Sequence, residues 1–426
     1  MALGPDFFVS EDFFMLRVFS CLLGLCLVSL AWVGSGESGV AEDRVVLLKG
    51  KPLAGRIVKV SDESLILRQR SSHRVVELKD VDSYVSVDEE LSSVMPDLGA
   101  VSQSIETAGL AQLAKTCKDR GLPGESNLVW WNVLRLEPDN EEAHQALGHK
   151  KVKRGWKFRM AEQNVNMEKL SSLQPRWGKA FELSTTHFDV RSNMLWFDTV
   201  KAALMAEQIY VLIYHSLGGE FELYWPTERM VLHIHGDGSF PGGAQFKGQV
   251  DQQSHRATID AEQGFQPWFL ARHLSELILT EAIREEAEPT ANFPMWMKIG
   301  MEEYMQAVLG FEQNEGSVIK FNPDSRHILN HETHRGAKKP YGVTRVLNFG
   351  DGDFKAEDNG LQRAQSYTLF NYCLNGEDGE LNAKLQSFFR SIKEGKASST
   401  DFKEAFGIRR KKAVQQFEKA WEASLR

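Results

Sequence analysis

The side chains with the most chemical potential here are histidines and carboxylates at helical or strand spacing. In PWFLARHLSELILTEAI, Arg272, His273 and Glu276 fall in one apolar run of helical period, so they share or adjoin one helix face. In MWMKIGMEEYMQ, Ile299 and Glu303 stand one turn apart in a second such run. His233 and His235, two apart in the strand-like MVLHIHGDGSF, point to one side of a sheet, a spacing at which paired imidazoles ligate metals. Such a pair wants a third donor, and His273 or Glu276 would supply it if the strand ran beside the first helix. His327 and His331 are four apart, but Asn322, Pro323, Asp324 and Gly336 mark their surroundings as a loop. The string His331-Glu332-Thr333-His334 is one residue short of HExxH and lies in a polar stretch that reads as irregular. No G-x-S-x-G elbow, P-loop or dinucleotide fingerprint occurs.

The elements that must position these residues read as α+β. Asp43 to Val85 is dense in Val, Ile and Leu and broken at Gly50, Gly55, Ser61-Asp62 and Ser71-Ser72, which predicts four or five short strands. This unit (42–88) resembles the small SH3-like barrels that follow signal peptides in secreted bacterial proteins. A helical connector (91–175) follows. Its stretch WWNVLRLEPDNEEAHQALG resembles the junction of two tetratricopeptide repeats, with Pro138 and Asn140 at the turn; about one and a half repeats suffice only for a docked hairpin. The basic stretch 150–175 reads as a packed linker anchored by Trp156. From Trp177 the pattern is a strand pair (180–193), an amphipathic helix (199–218), a strand at Met230–Phe240, another at Ala257–Gly264, and two helices, Pro267–Glu286 and Pro294–Leu309. The chain after about Leu361 reads as helical.

This order resembles the gluzincin-type zinc metallopeptidases of the peptidase MA class, in particular a secreted bacterial family of unassigned function with that fold. In that family the first helix reads roughly l-a-H-E-l-t-H-x-l-l and the second roughly P-x-W-l-x-E-G-l-A-E-Y. The resemblance covers about Ala180 to Trp421, including AQSYTLFNYCLNG, LQSFFRSIKEG and FKEAFGIRRKKAVQQFEKAW. It implies two histidines and a glutamate on Zn²⁺, with a general-base glutamate beside them. Aligning Leu270-Ala271 and Leu274-Ser275 puts Arg272 on the first histidine, His273 on the base and Glu276 on the second histidine. Trp296, Gly300, Glu303 and Tyr304 match the second motif and put Ile299 on the third ligand. All four positions depart from the pattern: Arg272 cannot deprotonate to bind metal and Ile299 has no donor atom. As i, i+4 neighbours, Arg272 and Glu276 are expected to pair.

The implied domain, 177–426, is therefore a degenerate peptidase with no cofactor, and the expected role is binding a peptide or protein partner. The alternative is an active zinc hydrolase with a non-standard site around His273, Glu276, Glu303 and the His233/His235 pair. Composition narrows the partners: 58 Asp+Glu against 50 Lys+Arg gives a net charge of −8, which argues against nucleic acid. Four cysteines exclude a disulfide scaffold and a zinc ribbon. The run VFSCLLGLCLVSLAWV (18–33) follows Arg17 and precedes small residues, as in a signal peptide (1–41). It carries Cys21 and Cys26, and Met15 would give it a conventional start. Export to a periplasmic or extracellular location follows, with no membrane attachment unless the run stays uncleaved. Cys117 and Cys373 remain, read as small buried hydrophobes rather than a disulfide.

Overall fold

A computed structural model describes residues 43–60, 63–69, 72–153, 155–218, 221, 223–226, 228–241, 248–283, 292–309, 323–355, 359–376 and 379–425. The expected signal peptide, with Cys21 and Cys26, lies outside them. Five strands come first: β1 (Asp43–Leu47), β2 (Leu53–Val60), β3 (Ser64–Gln69), β4 (Ser72–Glu77) and β5 (Val81–Val85). They pair antiparallel in the order β4-β3-β2-β1-β5. Leu65 and Leu67 face inward while Ile66 does not, the alternation of a half-buried strand. Val45, Ile57, Leu65, Leu67 and Val76 form a separate small core. So few side chains cannot hold a sheet alone, which makes its attachment to the rest of the chain decisive.

That attachment begins with α1 (Val87–Ala100), whose first turn is capped by Ser86 accepting from the Glu89 amide. Then α2 (Thr107–Asp119) and α3 (Pro123–Leu136) pack on each other. Asn140 caps α4 (Glu141–Ala146) by accepting from the Ala143 amide at 3.0 Å. The stretch read as a linker is instead a three-stranded sheet, β6 (Lys150–Val152), β7 (Gly155–Met160) and β8 (Gln163–Val165), followed by α5 (Met167–Ser172). The signal was present: Trp156 and Phe158 are buried while Lys157 and Arg159 are exposed, a period of two beneath a basic composition.

The second large sheet runs β12-β13-β11-β10-β9. Its members are β9 (Phe181–Ser184), β10 (Phe188–Ser192), β11 (Met230–His235), β12 (Gly248–Asp251) and β13 (Arg256–Asp260). The central three, β10, β11 and β13, are parallel, and the edges β9 and β12 are antiparallel. Helix α6 (Trp196–Ile213) joins β10 to β11 and is buried on nearly every face rather than amphipathic. Helices α7 (Pro267–Ile283) and α8 (Met295–Leu309) pack on each other, and α8 also packs on α9 (Pro323–Arg335) and α12 (Gly360–Asn375). Between them lie α10 (Val343–Val346) and α11 (Asp351–Lys355); α13 (Glu380–Lys393), α14 (Ser399–Ala405) and α15 (Lys411–Ala423) complete the helical tail. The architecture is mixed α+β, and no helix among the described residues is long and apolar enough to cross a membrane. Cys117 and Cys373 are buried free thiols.

The α8–α12 contact depends on Gly300. A Cβ there would sit 2.6 Å from the Ser366 carbonyl oxygen and 2.8 Å from Phe370 Cβ. Neither neighbour is a flexible side-chain end, so the helices would have to separate. Gly300→Ala is expected to lower stability by about 1–3 kcal/mol despite alanine's better helix propensity, as read from urea unfolding midpoints.

Candidate functional site

Strand pleat decides which predicted residues can meet. Leu232 and Ile234 are fully buried and belong to the same core as Leu270 and Leu274 of α7. Ile234 is in register with Ile259, and Ile259 with Gly248, so those three share the helix-covered face. His233 and His235 pair with Thr258 and Asp260 and therefore point to the opposite face. There Trp177 covers them, stacked on His235 at 3.6 Å and edge-on to His233 at 5.1 Å. The expected third donors, His273 and Glu276, stand on the other side of the sheet. Among the described residues no three His, Cys, Asp or Glu side chains converge as a metal-holding group.

The positions read from the peptidase motif do come together, with different bonds from those expected. Arg272 does not pair with Glu276. It donates from Nε to Glu302 at 3.1 Å, while Lys298 donates to Glu276. Residues 272 and 276 on α7 face 302 and 298 on α8, so the antiparallel helices join through two rungs one turn apart. The physical reason is burial: Glu302 and Glu303 are about 1% and 0% exposed, and a buried carboxylate takes the nearest cation on any helix. Glu303 accepts from Arg363 Nε at 2.6 Å, and its other oxygen accepts from Arg326 at 2.7 Å and from Asn330 at 3.3 Å. Arg363 also reaches Glu302 at 3.6 Å. Ile299 is buried one turn before both glutamates, on the same helix face.

The electrostatics follow from this arrangement. Burial pushes the Glu302 carboxyl above its ordinary range, against the pull of Arg272 and Arg363. Burial also opposes ionisation of Glu303, but Arg363 and Arg326 outweigh it and hold that carboxyl below its ordinary range. Burial, with Arg272, Lys298 and Arg363 nearby, pushes His273 down to about 3, so its ring is neutral. Neutral buried His273 has no partner for Nδ1 among the described residues. Among the described residues Glu302 and Glu303 are both paired with arginines.

Helix α9 corrects the loop reading of the histidine-rich stretch. His327 and His331 lie one helical turn apart, with ring centroids 4.2 Å from each other. His327 Nδ1 shares a 2.5 Å hydrogen bond with the Tyr367 hydroxyl, and His334 Nδ1 bonds Thr368 Oγ1 at 3.0 Å. Burial holds His331 and His334 at about 4. These rings tie α9 to α12. The loop reading failed because short polar helices carry little hydrophobic period, and packing on a neighbour supplies what propensity does not.

Gly248 on β12 lies directly against His273. A Cβ at 248 would sit 2.3 Å from Nε2 and 2.4 Å from Cδ2 of the ring. Gly248→Ala is therefore expected to displace the His273 ring or β12 and to lower stability by about 1–3 kcal/mol. The pair Gly248→Ala/His273→Ala should recover part of that loss. Two losses that simply add would show that the contact is not the cause.

A second buried polar cluster, invisible in the motif reading, joins the N-terminal sheet to the rest. His187, at the start of β10, bonds Glu207 of α6 through Nδ1 at 2.8 Å and Asp88 of α1 through Nε2 at 2.9 Å. Its ring stacks on Tyr210 at 3.6 Å. Arg56 of β2 pairs with Asp88 and lies 3.6 Å from Asp43. Asp43 in turn accepts from the amides of Ile57 at 2.6 Å and Val87 at 2.7 Å. Glu125 of α3 accepts from the Thr186 amide at 2.8 Å. Burial opposes a charge on His187, but Glu207 and Asp88 prevail and raise it to about 9. Burial and the nearby Glu207 push Glu125 up to about 7. Six elements converge here, so no local pattern announces the cluster.

No family model, no curated protein and no solved structure matches the chain.

Proposed function

We propose that this chain is an exported, non-catalytic protein whose peptidase-like domain binds a peptide or protein partner. The observation that carries the reading is the Arg272–Glu302–Arg363–Glu303–Arg326 network, which engages Arg272, the residue at the position where the resemblance expects the first metal ligand. Arginine holds the place of the first histidine and is already committed to a buried carboxylate. Ile299 holds the place of the third ligand. The order of elements supports the same reading, since the strand pair, α6, the further strands, α7 and α8 follow the sequence the resemblance calls for. The acidic net charge of −8 supports a partner other than nucleic acid.

The test is metal analysis of the purified full chain together with a casein-hydrolysis assay. The expected result is no stoichiometric zinc and no cleavage, before and after dialysis against zinc. One zinc per chain, lost in His273→Ala together with hydrolysis, would overturn the proposal.

A further inference from the structure

The proposed binding role needs a surface, and the ion-paired centre between α7 and α8 is filled by its own side chains. An open cavity lies elsewhere. About 820 Å³ opens between β9, the β6-β7-β8 sheet and the ends of α3 and α6. A smaller cavity of about 310 Å³ continues it, and the two share Gly124, Asn127 and Ser184.

Three features of this groove point to one kind of occupant. The first is a strand edge. Among the described residues β9 pairs only with β10, and the Thr185 amide donates to the Phe188 carbonyl at 2.9 Å. In an antiparallel ladder the hydrogen-bonded pairs alternate, so Phe181 and Leu183 also bond inward to β10. Glu182 and Ser184 then present their backbone groups outward, toward the groove they line. Gly124 of α3 covers the Ser184 carbonyl, where a Cβ would lie 2.6 Å away. Among the described residues the Ser184 N–H and both backbone groups of Glu182 remain to pair with an added strand.

The second feature is an aromatic rim. Trp131 packs edge-on against Trp196 at 4.9 Å and against Phe158 at 5.3 Å. All three rings border the groove and are buried but for their margins, a rigid apolar rim for alternate side chains of an extended chain. The third feature is charge. The lining holds Lys150, Lys157 and Arg159 against the single carboxylate of Glu182. None of the three cations has an ion-pair partner among the described residues. A net positive groove on a chain of net charge −8 selects for an acidic occupant.

We propose that the groove beside β9 binds an extended acidic peptide segment, which adds to the sheet as a further strand on the outer edge of β9. Its apolar side chains would meet Trp131, Phe158 and Trp196, and its carboxylates would meet Lys150, Lys157 and Arg159. This rests on the binding role proposed above and places it away from the α7–α8 centre.

The test uses the full chain and a fluorophore-labelled peptide alternating Glu and Val, followed by anisotropy. A peptide with Lys in place of Glu, and one N-methylated at alternate residues, serve as controls. The Glu peptide is expected to bind, and both controls to bind at least about tenfold more weakly. Lys157→Glu/Arg159→Glu should weaken binding about tenfold and Glu182→Lys should strengthen it several-fold; all three positions are exposed, so the fold is retained. Failure of the Glu peptide to bind, or equal binding of the Lys peptide, overturns the groove assignment. Binding that ignores both variants also overturns it, while leaving the broader binding role standing. Zinc-dependent cleavage of the bound peptide would overturn the non-catalytic reading, and a response to the groove variants would still support the site.

Discussion

Arg363→Met is expected to destabilise the protein by about 3–5 kcal/mol, read from urea or guanidinium unfolding at neutral pH. Arg363 is the cation shared by both buried glutamates, bonding Glu303 at 2.6 Å and reaching Glu302 at 3.6 Å. Methionine fills similar space and leaves the apolar contacts, so the loss isolates the uncompensated carboxylates. Arg272 and Arg326 remain, each on one glutamate, which keeps the effect below that of two fully orphaned charges. The logic is asymmetric. Removing one partner strands a buried charge, whereas replacing the whole set by apolar residues of similar volume is often neutral. Arg363→Met/Glu303→Gln should therefore be more stable than Arg363→Met alone. A loss under about 1 kcal/mol in the single variant would show that solvent reaches these carboxylates and that the network does not hold α8 to α9 and α12.

Raising the pH from 6.5 to 9 is expected to remove on the order of 3 kcal/mol of stability through His187 alone. The folded protein holds this imidazolium between Glu207 and Asp88, which lifts it to about 9 against burial. A histidine raised on folding contributes fully below its unfolded value near 6.5 and loses that contribution as pH climbs through the folded value. Arg56, the other cation facing Asp88, stays charged throughout. Glu125 works in the same direction in an adjoining window. Its folded value near 7 exceeds the unfolded one, so stability falls as pH rises from about 4.5 to 7. His273 works the other way: pushed down to about 3, it favours folding above about 6.5 and loses that benefit on acidification. His187 acts with least interference from about 7 to 8.5, above the Glu125 window and below the pH at which Cys117, raised to about 12 in the folded protein, begins to ionise in the unfolded chain. His187→Phe should lower stability at pH 6.5 and flatten the alkaline limb. A wild-type curve that is flat from 6.5 to 9 would sink this account of the junction.

Both predictions concern side chains that the motifs did not single out, and the reason is physical. Glu303 was legible because it stands in a helix-period run beside Gly300 and Tyr304, whereas the motif does not single out its neighbour Glu302. Both are buried because α8 is covered on several sides at once, by α7, α9 and α12. Arg326 and Arg363 reach them from segments 23 and 60 residues away, a separation over which no period carries information. The Arg272–Glu276 pair illustrates the same limit: i, i+4 spacing makes such a pair available, and a fully buried competitor on the facing helix takes the arginine instead.

By itself the sequence determined most of the secondary structure around the site and the mixed α+β class. Period two marks the strands at 43–85, 181–192 and 230–235, and period 3.6 marks α7 and α8, because each element must hide one apolar face. It determined the chemistry that Arg272 and Ile299 cannot do, since that depends on atoms alone. Tertiary structure decided everything that depends on which faces meet. It put His233 and His235 across the sheet from His273, built α9 from a polar stretch, turned a basic linker into β6-β7-β8, and buried His187 between two carboxylates. Charge pairing and burial act through space over a few ångströms, so only the fold sets which charges are neighbours and which leave water.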